Sequence, residues 1–149
     1  MIQMRPMDEL DWEWMRKRAK PIRCEDTQGI VAYDTDTGEI LACCACDSFT
    51  KTSCATHMAI KDPRVLRHGF LQAIAYHLFV VCDRTNVIGL VPAINAKALR
   101  FNEHIGFREI ARIPNGLDEG VDYVIMQMTR DECKWLEVPD GAEYRSANA

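Results

Sequence analysis

Apolar and polar residues alternate over Met1 to Arg5, which predicts a short first strand. After Pro6, the run Met7 to Arg18 carries Asp8, Glu9 and Asp11 early and Arg16, Lys17 and Arg18 late. That order complements a helix dipole and predicts a helix burying Leu10, Trp14 and Met15. Lys20 to Gln28 shows no period and reads as a loop. Gly29 to Tyr33 and Glu39 to Asp47 read as strands around Asp34-Thr-Asp-Thr-Gly38, whose residues suit a hairpin turn. Ser48 to Ser53 then turns the chain into a third strand, Cys54 to Ile60. These three strands form an antiparallel meander.

The period changes at Phe70. Apolar residues at 70, 71, 74, 75, 78, 79 and 82 make a wide helical stripe, the pattern of a helix lying on a sheet. The strand Val87 to Val91 leads into a helix that Asn95 caps and Gly106 stops, with Ala98, Phe101 and Ile105 at helical spacing. Arg108 to Arg112 is a strand, Pro114 to Asp122 a polar loop and Tyr123 to Met128 a final strand. Asp131 to Leu136 reads as a closing turn with Trp135 packed down. From Glu137 onward small and polar residues predict a frayed tail. The order is β-α-β-β-β-α-β-α-β-β, an α/β (α+β) chain with one domain over 1–136 and a tail over 137–149.

Composition adds bounds. The chain has 149 residues, 48% of them hydrophobic, which suits a single core. No apolar run is long enough for a membrane helix, and Met1-Ile-Gln-Met-Arg5 lacks the features of a signal peptide. Seven cysteines lie without the spacing of a small secreted scaffold and read as reduced thiols of a cytoplasmic protein. A net charge of -4 argues against nucleic acid as the main partner, leaving only Lys61, Arg64 and Arg67 behind that idea.

The stretch Asn95-Ala-Lys-Ala-Leu-Arg-Phe-Asn-Glu-His-Ile-Gly-Phe107 is the most specific signal. It is an ordinary capped amphipathic helix on one reading. On the other it resembles the signature Asn-x-x-Ala-x-x-(aromatic or Leu)-Tyr-Glu-x-x-Gly-Phe of the GNAT-type N-acetyltransferase superfamily. Asn95, Ala98, Phe101, Glu103, Gly106 and Phe107 match, while Asn102 stands at the family's Tyr. The resemblance implies a GNAT fold, a mixed central sheet of six to seven strands flanked by three to four helices. It also implies that Cys54 to Ile60 and Val87 to Val91 are parallel neighbours that splay at their C-terminal ends. The family's second early helix is reduced here, which implies a more open acceptor side.

The same resemblance implies acetyl-CoA as co-substrate. A pyrophosphate needs backbone N–H groups at a helix N-terminus, and Ile60 to Phe70 joins a strand to the long helix where such a loop belongs. Against the family's (Gln or Arg)-x-x-Gly-x-(Gly or Ala), Arg64 takes the first place and Gly69 the last. Arg67 replaces the middle glycine, and with His68 it can reach phosphate oxygens by its side chain. Val65, Arg67, His68, Gly69 and Phe70 therefore form the expected phosphate turn; a basic capping loop is the plainer alternative. Pantetheine is expected along Met58, Ala59 and Ile60, through main chain. Pro92, which cannot donate to a neighbouring strand, suits that splay, and Asn95 stands at the family position that hydrogen-bonds the cofactor arm, with a helix N-cap as its plainer role.

For catalysis the resemblance points to Asn102, whose amide donates hydrogen bonds but no proton. His57 is the base candidate, because imidazole titrates near neutrality and its strand borders the gap. Its alternative is a satisfied structural histidine. His104 is a weaker candidate, and Glu103 reads as structural. Cys43, Cys44 and Cys46, with Cys54 or His57, invite a metal reading, yet they lack Cys-x-x-Cys spacing. Buried thiols under a helix explain them, so no metal is expected. Asp118, Glu119 and Asp122 read as a solvated turn that can attract a cationic amine.

The resulting expectation is an N-acetyltransferase acting on an amine-bearing small molecule or protein. The rival is a catalytically silent GNAT-like protein that binds a partner or assembles into a larger structure. Thr129-Arg-Asp-Glu-Cys-Lys-Trp-Leu136 adds a similarity to small GNAT-like proteins of bacteriophages.

Overall fold

The computed structural model describes residues 1–21 and 23–136, so the predicted tail lies outside the described residues. Seven strands form one mixed sheet: β1 (Ile2–Pro6), β2 (Gln28–Asp34), β3 (Ile40–Asp47), β4 (Ser53–Ile60), β5 (Asn86–Pro92), β6 (Arg108–Asp118) and β7 (Val121–Thr129). Their spatial order is β1-β2-β3-β4-β5-β7-β6. The helices are α1 (Asp11–Arg16), α2 (Phe70–Tyr76) and α3 (Ala96–Ile105). The chain order of elements is the one the sequence predicts.

Strand alternation sorts the core into two faces. Cys44, Cys46 and Cys54 point to the side where Phe70, Leu71, Ile74 and Phe79 pack, and Ile105 at the end of α3 and Phe107 just after it close that layer. Val31, Cys43 and Ala45 point to the other side, under Met15 of α1. Each face is thus lined by small residues in the strands and filled by larger ones from the helices, which gives close packing. Trp135 closes the lower edge, its Nε1–H donating to the carbonyl of Ile105 at 2.7 Å.

Three elements differ from the sequence reading. α1 is shorter than Met7 to Arg18, and Leu10 is 85% exposed. The cause is Asp11, which is buried and receives both Arg5 guanidinium donors at 2.7 and 2.8 Å and the N–H of Asp8 at 2.7 Å. These bonds fix the chain before the helix as a turn. α2 gives way after Tyr76 to a wider turn over His77–Val81, in which the N–H of Cys82 donates to the carbonyl of His77 at 2.8 Å. This i to i−5 bond marks a π-turn, which keeps His77, Leu78 and Phe79 buried together. The predicted polar loop after Arg112 is largely strand, because β6 runs on to Asp118. Its pairing with β7 skips from Ile113↔Tyr123 to Asp118↔Val121, so the intervening residues form a bulge.

Candidate active site

β4 and β5 are parallel neighbours for only three residue pairs, Ser53↔Asn86, Cys54↔Val87 and Ala55↔Ile88. Beyond Ala55, β4 keeps β3 as its partner out to Ile60↔Ala42, while β5 keeps β7 out to Pro92↔Tyr123. A gap therefore opens inside the sheet. The N–H of Lys61 donates to Leu41, and that position shares the β3–β4 register. Antiparallel strands alternate between positions that bond to the partner and positions that face away. Counting back from Lys61, Ala59 and His57 face β3, and the backbone groups of Met58 and Ile60 face the gap. Of the predicted Met58, Ala59 and Ile60, two present main chain to the gap and Ala59 does not.

At the open end the loop is ordered by its own carboxylate. Asp62 accepts from the N–H of Arg64 at 3.0 Å and caps a 3-10 turn over Pro63–Arg67. Val65 and Phe70 are fully buried and anchor the turn to the core. The Arg64 side chain folds back on Asp62, with Nε to Oδ2 at 2.9 Å and Nη2 to Oδ2 at 2.6 Å. Those hydrogen bonds hold the Asp62 carboxyl below the usual carboxylate range. Arg67 and His68 are exposed. Gly69 has φ of +87°, a left-handed conformation that glycine adopts without strain, and it starts α2 with no side-chain cap among the described residues. The first N–H groups of α2 thus have no side-chain cap to compete with an anion.

Asn95 caps α3, its Oδ1 accepting from the N–H of Ala98 at 3.1 Å. One turn after Ala98, Asn102 lies over the sheet. Its Nδ2 is 3.7 Å from Sδ of Met126 and 3.7 Å from where a Cβ on Gly89 would sit. Gly89 is the next residue on β5 after Ile88, so Asn102 stands at the apex of the gap on the α2–α3 face.

His57 lies on the opposite face. It pairs across the strands with Ala45, on the side that α1 covers. Its Nε2 is 2.8 Å from Oδ2 of Asp47, a carboxylate 1% exposed, while the imidazole itself is 24% exposed. The structure therefore brings His57 and Asn102 to the two sides of one gap and not into contact. On the His57 side Leu90 of β5 is 46% exposed, so this face is open beside the gap. Asp47 is the close neighbour of His57 that the sequence reading missed. The available signal was a lone carboxylate ending an apolar strand, one step diagonal from His57.

The thiols divide as their alternation predicts. Cys43 joins the α1 side, and Cys44, Cys46 and Cys54 the other, so the three of the cluster cannot converge on one ion. Hydrogen bonding with Cys44 and Cys54, together with burial, pushes the Cys46 thiol well up; burial alone does most of the same for Cys43. Raised and buried, the Cys43 and Cys46 thiols are poor nucleophiles. In the β6–β7 turn, Asp122 accepts from the N–H of Asn115 at 3.1 Å and Asp118 from the N–H of Glu119 at 2.7 Å. Those carboxylates support the turn.

Together the seven-stranded mixed sheet, the parted parallel pair and the two helices beside it define the GNAT fold. By sequence, no protein-family model and no curated protein matches the chain. By structure, it is similar to spermidine/spermine N-acetyltransferase SpeG from Vibrio cholerae in a complex with manganese ions. That likeness has a TM-score of 0.71 at 11% identity and covers 87% of this chain and 93% of the other. The spermidine N-acetyltransferase from the same organism, in complex with CoA and spermine, gives a TM-score of 0.66 at 13% identity, over 88% and 96% of the two chains. Neither comparison carries the bacteriophage similarity. Among the described residues no helix is long and apolar enough to cross a membrane.

Proposed function

We propose that the protein is an acetyl-CoA-dependent N-acetyltransferase acting on an amine. The observation that carries this reading is the gap after Ala55 and Ile88, with backbone groups of Met58 and Ile60 turned into it. An extended amide-bearing arm such as pantetheine pairs with an open strand in that way. The uncapped start of α2, with Arg67 and His68 exposed next to it, suits a pyrophosphate. The residues present therefore fit a phosphopantetheine thioester. The neighbours named above are N-acetyltransferases, one of them in complex with CoA and spermine, which supports the same class of donor and acceptor.

In the proposed reaction the amine nitrogen forms a bond to the acetyl carbon as the carbon–sulfur bond breaks. The electron pair leaves on sulfur, and Asn102 donates a hydrogen bond to it there. His57 takes the proton that the nitrogen sheds, and that proton later completes the thiol. Placing the donor and the base on opposite faces lets the acceptor enter from the open α1 side. The test is release of free CoA thiol from acetyl-CoA with a panel of amines, including spermidine, spermine and a lysine-containing peptide. Turnover with at least one amine above the hydrolysis background supports the proposal, and none with any of them opposes it.

The second reading is a silent scaffold of the same fold. Its support is specific: Arg64 is committed to Asp62, Arg67 occupies the family's glycine position, and Asn102 has no proton to give.

A further inference from the structure

We infer that the cleft beside α1 is a separate binding site for a small phosphate ester carrying a planar ring, such as a mononucleotide. The cleft has a volume of about 260 Å³ and is lined by Trp12, Arg16, Lys20, Pro21 and Arg23. That size is near the lower end of small-ligand pockets. Three cations and one indole thus face one space, and no carboxylate among the described residues lines it. Trp12 and Arg16 are four apart on α1 and share one of its faces. The end of the helix does not consume these cations. The carbonyl of Trp14 accepts from Nη1 of Arg18 at 3.0 Å, and that of Met15 from the N–H groups of Arg18 and Ala19, both at 2.9 Å. α1 packs on the opposite face of the sheet from α2, so this site is not the phosphate turn.

The partners of these cations define the ligand. Arg23 lies over the Trp12 ring, 5.3 Å from its centroid, and pairs with Glu9. Arg16 pairs at 2.9 Å with Glu13, which Lys17 shares at 3.3 Å. Lys20 makes no ion pair among the described residues. The Glu9 and Glu13 side chains are 77% and 59% exposed, so their pairs are weak and exchangeable. A phosphate brings more charge and more acceptor oxygens than a carboxylate, so it displaces them and takes Lys20 as well. The indole supplies a stacking surface, and the flat Arg23 guanidinium extends it. A bare anion uses only the cations and a bare ring only Trp12; a ligand with both uses the whole cleft. A nucleic-acid strand needs positive surface beyond the cleft, which the net charge of -4 opposes. The inference does not rest on the acetyltransferase reading.

The experiment is a titration of the full chain with guanosine 5′-monophosphate, followed by tryptophan fluorescence, with guanosine and inorganic phosphate as controls that carry one feature each. The nucleotide is expected to give a saturable change that Trp12→Phe removes, with a dissociation constant at least about tenfold below that of either control. Lys20→Glu is expected to weaken it by at least about tenfold and Arg67→Glu by less than about twofold. Lys20 is exposed, so its replacement leaves the fold intact. No saturable change by about 10 mM nucleotide overturns the inference. So does phosphate binding as tightly as the nucleotide, which marks a charged patch without ring contact. A loss on Arg67→Glu and none on Lys20→Glu also overturns it, because the nucleotide then sits in the phosphate turn. Binding that Lys20→Glu weakens, in a protein that gives no heat with acetyl-CoA, sustains this site while the acetyltransferase reading fails.

Discussion

Ala55 and Ile88 are the last residues at which two parallel strands remain paired, and every candidate site residue takes its place from that point. Asn102 stands over the next residue of β5, and His57 lies two residues further along β4 on the other face. Because the strand alternation is fixed by pairing with β3, the gap has a polar backbone wall at defined positions. Adding CoA should slow amide hydrogen exchange at Met58 and Ile60 and leave Ala59, already bonded toward β3, nearly unchanged. Equal protection at all three would show that the donor does not pair with this strand.

The phosphate turn separates two arginines with the same charge. Arg64 is held by Asp62, whereas Arg67 makes no ion pair among the described residues. Arg67→Glu should weaken acetyl-CoA binding by at least about tenfold, and Arg64→Ala by much less. The check is the ratio of the two dissociation constants; a larger loss for Arg64→Ala contradicts the assignment. Gly69 makes a poor probe of binding. Its φ of +87° strains any other residue, and Gly69→Ala should cost about 1–2 kcal/mol of stability by itself.

Asn102 is expected to act on the leaving sulfur and not on binding. Asn102→Ala should lower kcat about tenfold with the KM for acetyl-CoA unchanged. A rise in KM with unchanged kcat would assign Asn102 to binding.

The Arg5–Asp11 pair governs the N-terminal helix. Burial works to raise the Asp11 pKa. The Arg5 and Asp8 hydrogen bonds and the Arg5 charge outweigh it and hold the carboxyl below its usual value. A carboxylate depressed in the folded state stabilises the protein above its unfolded pKa and loses that contribution as pH falls through the folded one. Asp11→Asn should therefore cost about 1.5–3 kcal/mol near neutral pH, discounted because Arg5 is a third exposed. The difference from wild type should vanish as pH falls below the ordinary carboxylate range. A constant difference in urea denaturation at all pH values would assign the loss to packing.

The sheet and its helices were legible in the sequence where one period dominated. α2 buries residues at the 3.6 spacing its apolar stripe shows, β3 is a short apolar run buried from Leu41 onward, and Asn95 and Gly106 bound α3 by their caps. α1 was misread because its charges matched a dipole while a buried carboxylate, invisible to pattern, set its start. β6 was read as a strand to Arg112, and its continuation to Asp118 was missed because this edge strand is exposed throughout, so its polar end looked like a loop. His57 was visible as a residue type, but its partner was not. The pairing of Asp47 with it depends on register, which neither strand encodes alone.

Calorimetric titration of the full chain with acetyl-CoA tests the central claim, that the gap between β4 and β5 holds an acyl-CoA. The account predicts a saturable one-to-one heat that Arg67→Glu diminishes. No saturable heat at about 1 mM ligand, where binding would be worth only about 4 kcal/mol, would contradict it.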